Sequence, residues 1–532
     1  MDQDHLLSPV SLDTVIARAR AQSLSAMLRR AAERHGSRTA IICGDVTWSY
    51  AEFTRLVDAL AAGLRGLGVA PGDRVAILAR NSHAFIALRF AIARADAVLV
   101  PVNFMLNAED VGYILDHSGA RVLFADAQTI DTARAARVSG VEHLFGMDGE
   151  NAPPPTGVPS WQTLAVDAVP EPEQRGGEEL LQIVYTSGTE SRPKGAMLSH
   201  NAVLWQYQGC VIDCEWTSGT VALHAMPLFH CAQLDAMIGP ALHVGATNII
   251  TGSPAADNIL RLLSTHRVTS FFAPPTVWIS LLRAPQIDQS DLSQLVKGYY
   301  GASIMPVEVL RELRERLPAL RLWNLYGQTE IAPVATILFP EEHAHRLGSA
   351  GRPTLHVETR IVDDAMVPVA PGEIGEIVHR SPQLLSGYWN DPERTADAFA
   401  GGWFHSGDLG TLDAEGYITV IDRKKDMIKS GGENVASREV EEALYRHPAV
   451  SEVAVIGLPD PRWIEAVAAV VVVRDGHFLT DADILAHCGS LLSSFKIPKR
   501  VIFADTLPRN ASGKILKREL RDRISEEQRH NA

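Results

Sequence analysis

Apolar positions recur in two rhythms along this chain. In "TWSYAEFTRLVDALAAGLRGLG" (47–68), spacings of three and four place Phe53, Leu56, Val57, Leu60, Leu64 and Leu67 on one face. That pattern predicts an amphipathic helix with Ser49 as its N-cap. "DRVAILAR" (73–80) is a short apolar run and predicts a strand; a helix from Ser82 and a strand at "AVLVPVN" (97–103) follow. Short β-rich runs alternating with helices predict parallel α/β sheets, in which ligands bind beyond the carboxyl ends of the strands. "LLQIVY" (180–185) reads as another buried strand, and "NAPPPTGVP" (151–159) as a surface connection. From about residue 356 the rhythm becomes alternating. "HVETRIVDD" and "GEIGEIVHR", joined by a Pro-Gly turn, predict a small antiparallel unit. After "YITVIDRKKD" (417–426) a compact tail is expected, with helices at 438–446 and 481–495 and strands at 451–457, 466–473 and 500–504. A domain boundary is expected near Lys425, and the charged end "KRELRDRISEEQRHNA" is expected to form a solvated helix.

Composition narrows the class. The 532 residues are 46% hydrophobic and 21% charged, enough to bury large cores and without disordered bias. A net charge of −14 argues against nonspecific nucleic-acid binding. Cys43, Cys210, Cys214, Cys231 and Cys488 form no CxxC pair, and their odd number leaves one over in any disulfide scheme, which fits a reducing compartment. The acidic start "MDQDHLLSPV" does not read as a secretory signal, and runs such as "AVAAVVVV" (466–473) are too short to cross a bilayer. A cytoplasmic protein without a membrane span is expected.

Five segments carry candidate chemistry. "TSGTESRPKG" (186–195) follows a predicted strand and offers the hydroxyls of Thr186, Ser187 and Thr189, close backbone approach at Gly188, and the charge of Lys194. It lacks the Gly-Lys-Ser/Thr order of a Walker A loop, and a polar turn is its competing reading. "YYGAS" (299–303) ends in small residues against which a flat base could lie. "NLYGQTE" (324–330) gathers an aromatic, a hydroxyl and a carboxylate, read as one loop able to stack, bond a phosphate and hold a divalent cation. "GGWFHSGDLG" (401–410) presents Asp408 as an acceptor for ribose hydroxyls, and "PRNASGKILKREL" (508–520) puts Lys514 after a Ser-Gly turn.

Taken together and in order, these segments resemble the adenylate-forming superfamily of acyl-CoA synthetases, aryl-CoA ligases, luciferase and peptide-synthetase adenylation domains. "DRKKDMIKSGGENV" (422–435) and "GYWNDPERTADAF" (387–399) resemble the fatty-acyl and short aryl CoA ligases most. The resemblance implies an α/β fold. Its large N-terminal domain (1–424) would hold two parallel-rich α/β sheets and a small antiparallel β-barrel-like subdomain. A smaller mobile α+β C-terminal domain (426–532) would turn about a hinge at Lys425. It also implies ATP, Mg²⁺ and CoA as cofactors. A carboxylic acid would be activated as acyl-adenylate with loss of pyrophosphate, and a thiol would then displace AMP. By motif, Thr186, Ser187, Gly188, Thr189 and Lys194 would handle the β- and γ-phosphates, and Gly301, Ala302 and Ser303 would border the adenine. Tyr326 would stack on it within the Gly327–Gln328 turn; Thr329 would bond the α-phosphate and Glu330 would hold Mg²⁺. Asp408 and Arg423 would take the ribose, and Lys514 would bridge the attacking carboxylate and the α-phosphate. Lys429, Gly431 and Gly432 would line the pantetheine path, with Trp463, Phe495 and Lys499 towards the CoA nucleotide or simply packed.

Two points stay open in the sequence. Glu190 and Ser191 stand where the family usually has Thr or Ser followed by Gly. A desolvated carboxylate beside triphosphate is costly, so Glu190 is expected to be neutralised by Arg192 or to sit near Mg²⁺. The acid is the other point. "ALHAMPLFHCAQLDAMIGPALHVGAT" (222–247) matches the acyl-pocket region, with His230 either near the carboxylate and thiol path or a core residue. Trp205, Tyr207, Met226, Phe229 and Val334 are candidate walls, and no Arg or Lys occurs between 201 and 260. A monocarboxylate with an apolar body is therefore expected: a medium or long fatty acid first, a bulky cyclic acid second, an aryl acid third. A carrier-protein thiol as acceptor and a noncatalytic binding role are the alternatives; the chain is expected to be a monomer or homodimer.

Overall fold

The computed structural model describes residues 12–20, 22–136, 138–167, 177–186, 192–303, 305–509 and 515–530. The predicted helix forms over Tyr50–Gly66, with Ser49 and Glu52 making a reciprocal capping box. A sheet of seven strands has a parallel centre of Val98–Val102, Arg74–Leu78, Ala120–Ala125 and His143–Gly146. Leu180–Thr186 joins it in parallel, and the antiparallel strands Lys194–Ser199 and Gly387–Tyr388 complete that edge. A nine-stranded sheet runs parallel from Arg321–Gly327 through Lys297–Gly301, Ser270–Phe272, Val221–His224 and Thr247–Ile250 to Thr39–Cys43.

One helix shows how the first core is built. Every residue of His83–Arg94 is buried, including two arginines. A helix enclosed on all sides must neutralise its charges internally. Arg94 does so on Asp58 at 2.8 Å. Arg89 donates to Asp235 Oδ1 at 2.5 Å, Gln182 Oε1 at 2.6 Å and Tyr207 Oη at 3.1 Å. Burial opposes the Arg89 charge, but Tyr207 and Asp235 outweigh it and hold the guanidinium above its ordinary pKa. Asp235 sits in a π-helical turn, Leu234–Ile238, within the predicted acyl segment.

The alternating segments form the expected antiparallel unit, Glu358–Val362, Gly375–Arg380, Phe404–Leu412 and Ile418–Arg423. Beyond it a five-stranded sheet pairs Val450–Asp460 with Ile464–Val473, flanked by Ser437–Tyr445 and Asp481–Leu491. The second helix stops four residues before the expected 495, because Leu492 turns extended. The architecture is α/β with two parallel-rich sheets, an antiparallel subdomain and a smaller C-terminal α+β unit.

One segment read as a loop begins in a strand: Asn324–Gly327 is the end of Arg321–Gly327. A second strand, Phe404–Leu412, carries Asp408. In the latter, Phe404, Ser406, Asp408 and Gly410 alternate inward, so Asp408 is delivered to the interior by strand periodicity.

Candidate active site

At the phosphate-loop strand, Lys194 Nζ lies 2.9 Å from Glu330 Oε1 and donates to the Tyr388 hydroxyl at 2.6 Å. The Tyr388 hydroxyl donates to the same Glu330 oxygen at 3.0 Å. Thr186 Oγ1 is buried here without a hydrogen-bond partner. Ser187, Gly188, Thr189 and Glu190 lie outside the described residues. Arg192, expected to neutralise Glu190, has its guanidinium 5.0 Å from the Tyr113 ring centroid.

Next to this trio, Thr329 Oγ1 accepts from Cys231 Sγ at 3.3 Å, and Gln328 Nε2 is buried and unpartnered. Burial pushes the Cys231 thiol up to about 12, so it stays a protonated donor. Tyr326 donates to Asp408 Oδ2 at 2.7 Å, and Arg423 Nε lies 2.9 Å from Asp408 Oδ1. Asp408 and Arg423 are register partners on adjacent strands, which explains the pair. Burial opposes the Arg423 charge; Asp408 and then Glu330 outweigh it and raise its pKa. A cavity of about 720 Å³ gathers Ala302, Ser303, Tyr326, Gly327, Asp408 and Arg423, and Lys425 reaches it too. Arg509, Ile515 and Lys517 of the C-terminal unit also line it. Gly301 permits close approach of its strand partner: a Cβ there would stand 2.3 Å from the Leu325 carbonyl oxygen. Ala302 takes a left-handed φ of 63°, a strained backbone of the kind found where ligands are gripped.

His230 precedes Cys231, the residue that bonds Thr329. Its ring centroid is 4.5 Å from that of Phe229, which meets Phe104 edge-on at 5.3 Å. Burial lowers its pKa to about 4, so the ring is neutral at pH 7, and its Nε2 has no partner. Lys429, Gly431, Gly432 and Trp463 form another group, none of them lining the cavity. Gly431 has φ 63°, and a Cβ on it would meet the Trp463 ring at 2.9 Å. Lys499 Nζ lies 5.3 Å from that ring's centroid. Lys514 lies outside the described residues. Two side chains at the centre escaped the sequence reading: Tyr388, quoted only within a motif, and Cys231, counted only as a thiol.

The site brings the Asp408 carboxylate, the Tyr326 hydroxyl and the small-residue turn at Ala302–Ser303 to one cavity. On this α/β fold the chain matches a class of enzymes that activate carboxylic acids through adenylates. The chain belongs to the AMP-binding enzyme family: the model of the family described as "AMP-binding enzyme" matches residues 28–389. Its "AMP-binding enzyme C-terminal domain" matches residues 439–514. Feruloyl-CoA synthase of Amycolatopsis sp is 38% identical over 505 residues, covering 95% of this chain and 100% of that protein. The long-chain-fatty-acid–CoA ligase FadD13 of Mycobacterium tuberculosis (strain ATCC 25618 / H37Rv) is 36% identical over 489 residues, 90% of this chain and 94% of that one. The crystal structure of the anthranilate CoA ligase AuaEII in complex with anthranoyl-AMP superposes with a TM-score of 0.89 at 26% identity, over 96% of this chain and 98% of that one. The protein is an AMP-forming acid–thiol ligase of the acyl- and aryl-CoA type, a class that uses ATP, Mg²⁺ and CoA.

Among the described residues no helix is long and apolar enough to cross a membrane.

Proposed function

We propose that this ligase activates a monocarboxylic acid with an apolar body, a medium or long fatty acid or a bulky ring acid, and passes it to CoA. The observation that carries this reading is the closed Arg89–Asp235 pair beneath the acyl segment. Those two charged groups satisfy each other, so neither is left as a counter-charge for a second carboxylate or an α-amino group. The candidate pocket walls Met226, Phe229 and Val334 are all buried. The relatives' names span a long-chain fatty acid and an aryl acid, consistent with a pocket that selects on shape more than on charge.

Thr186, with its unpartnered buried hydroxyl, and Lys194 face the β- and γ-phosphates together with Ser187, Gly188 and Thr189. Tyr326 and Gly301–Ser303 hold the adenine, and the Asp408 carboxylate, oriented by Tyr326 and Arg423, takes the ribose hydroxyls. Thr329, fixed by Cys231, donates to the α-phosphate. Among the described residues no three acidic, His or Cys groups cluster as a metal cage. A single carboxylate beside a triphosphate is the donor set Mg²⁺ accepts, so Glu330 fits as its one protein ligand. When bound, the cation neutralises charge on the phosphate oxygens. Lys514, from the C-terminal domain, places its ammonium between the acid's carboxylate and the α-phosphate. Rotation of residues 426–532 about Lys425 then withdraws it and brings Lys429, Gly431 and Gly432 to the adenylate for thiol attack.

The test is AMP release from ATP, Mg²⁺ and a panel of acids, with and without CoA. CoA-dependent release with octanoate, palmitate or ring acids, and none with malonate or amino acids, is expected. Acid-dependent pyrophosphate exchange that CoA cannot turn over would assign a carrier-protein acceptor instead. No turnover with any acid would refute the reading.

A further inference from the structure

Residues 383–389 are a strap stitched to both halves of the phosphate site. Gln383 Nε2 donates to the carbonyls of Ile331 (3.0 Å) and Val334 (2.6 Å), and the Leu385 N–H to that of Glu330 (2.8 Å). The same strap then crosses to the other sheet, where the Ser386 and Trp389 N–H groups donate to Met197 O (2.9 Å) and Gly195 O (2.8 Å). Trp389 Nε1 fixes the far end on His117 O at 3.0 Å. Tyr388, 5% exposed, is thereby held where the two sheets meet, its ring centroid 4.2 Å from Lys194 Nζ. Its hydroxyl accepts from Lys194 and donates to Glu330, so one oxygen joins a cation and an anion from separate elements.

We propose that Tyr388 is a positioning residue for nucleotide binding: its hydroxyl holds the Lys194 ammonium and the Glu330 carboxylate in register and thereby sets the affinity for magnesium-bound ATP. The proposal rests on the roles assigned above to Lys194 and Glu330. Before ATP arrives, those two charges are paired directly at 2.9 Å. Binding must part them, the ammonium turning to phosphate and the carboxylate to the cation. The phenol gives each a remaining partner as they separate, and the stitched strap keeps that partner still.

Calorimetric titration of ATP with Mg²⁺ into the full chain tests this, comparing wild type, Tyr388→Phe, Lys194→Met and the double variant. A hydrogen bond to a charged group supports an expected rise in Kd of about tenfold for Tyr388→Phe. Melting should be unchanged, and Tyr388→Phe should cost less in the Lys194→Met background than in wild type, the remainder being the hydroxyl's contact with Glu330. A Kd within about twofold of wild type, a full extra loss in the Lys194→Met background, or a Tyr388→Phe chain that does not fold would each overturn it, the last two by making the hydroxyl structural. Failure of wild type to bind magnesium-bound ATP would remove the proposal together with the site roles. Binding with this pattern, but no CoA-dependent turnover of any acid, would refute only the ligase reading and leave Tyr388's role supported.

Discussion

Glu330 is 4% exposed, and one of its oxygens already serves both Lys194 and Tyr388. A neutral amide there keeps the shape but cannot offset a cation. Glu330→Gln is expected to lower acid-dependent pyrophosphate exchange by about 10²–10³, the usual effect of losing one preorganised electrostatic group. An exchange rate within a few-fold of wild type would show that the carboxylate does not hold the metal. Glu190 makes the opposite case. Replacing it with threonine removes an anion from a loop meant for phosphates, so the KM for ATP should fall or stay the same. A large loss of adenylation in Glu190→Thr would mean that this carboxylate is itself a needed ligand.

Among the elements, the enclosed helix His83–Arg94 depends on one partner reaching it from the acyl segment. Asp235→Ala would leave the Arg89 guanidinium buried without its counter-ion, a change that typically costs about 3–5 kcal/mol. Denaturant unfolding should show that loss, and a decrease below about 1 kcal/mol would mean that water reaches Arg89. The same helix marks how far the sequence could be read. Its start at Ser82, the capping box at Ser49 and the strands from 74, 98 and 180 follow from local periodicity and were legible. The Arg89–Asp235 pair spans 146 positions, and scanning 201–260 for a cation could not have found it. Asp408 was legible as an acceptor, but its inward place on the strand Phe404–Leu412 and its bond from Tyr326, 82 positions away, depend on packing that the local sequence does not carry. Tyr388 was hidden for a related reason: its function lies between two residues that only the sheet junction brings together.

Across the whole molecule, buried histidines tie stability to pH. His224 and His379 are enclosed, and burial lowers each from 6.5 to about 4. Below pH 6.5 the unfolded chain takes up protons that the folded chain refuses until about pH 4, so stability is full above 6.5 and falls on acidification through that window. By about pH 5 the loss should reach about 2 kcal/mol for each ring, seen as a falling denaturant midpoint. A midpoint flat between pH 7 and 5 would contradict their burial. At this scale a cavity is lined by residues of both the large and the C-terminal units, among them Ala302, Asp408, Arg509 and Lys517. The central claim is that Lys514 closes the adenylation site from the smaller lobe and then leaves it. The direct measurement is both half-reactions in Lys514→Ala: acid-dependent pyrophosphate exchange, and thioester formation from supplied acyl-adenylate and CoA. Exchange should be abolished and thioester formation largely spared; equal damage to both would contradict the account.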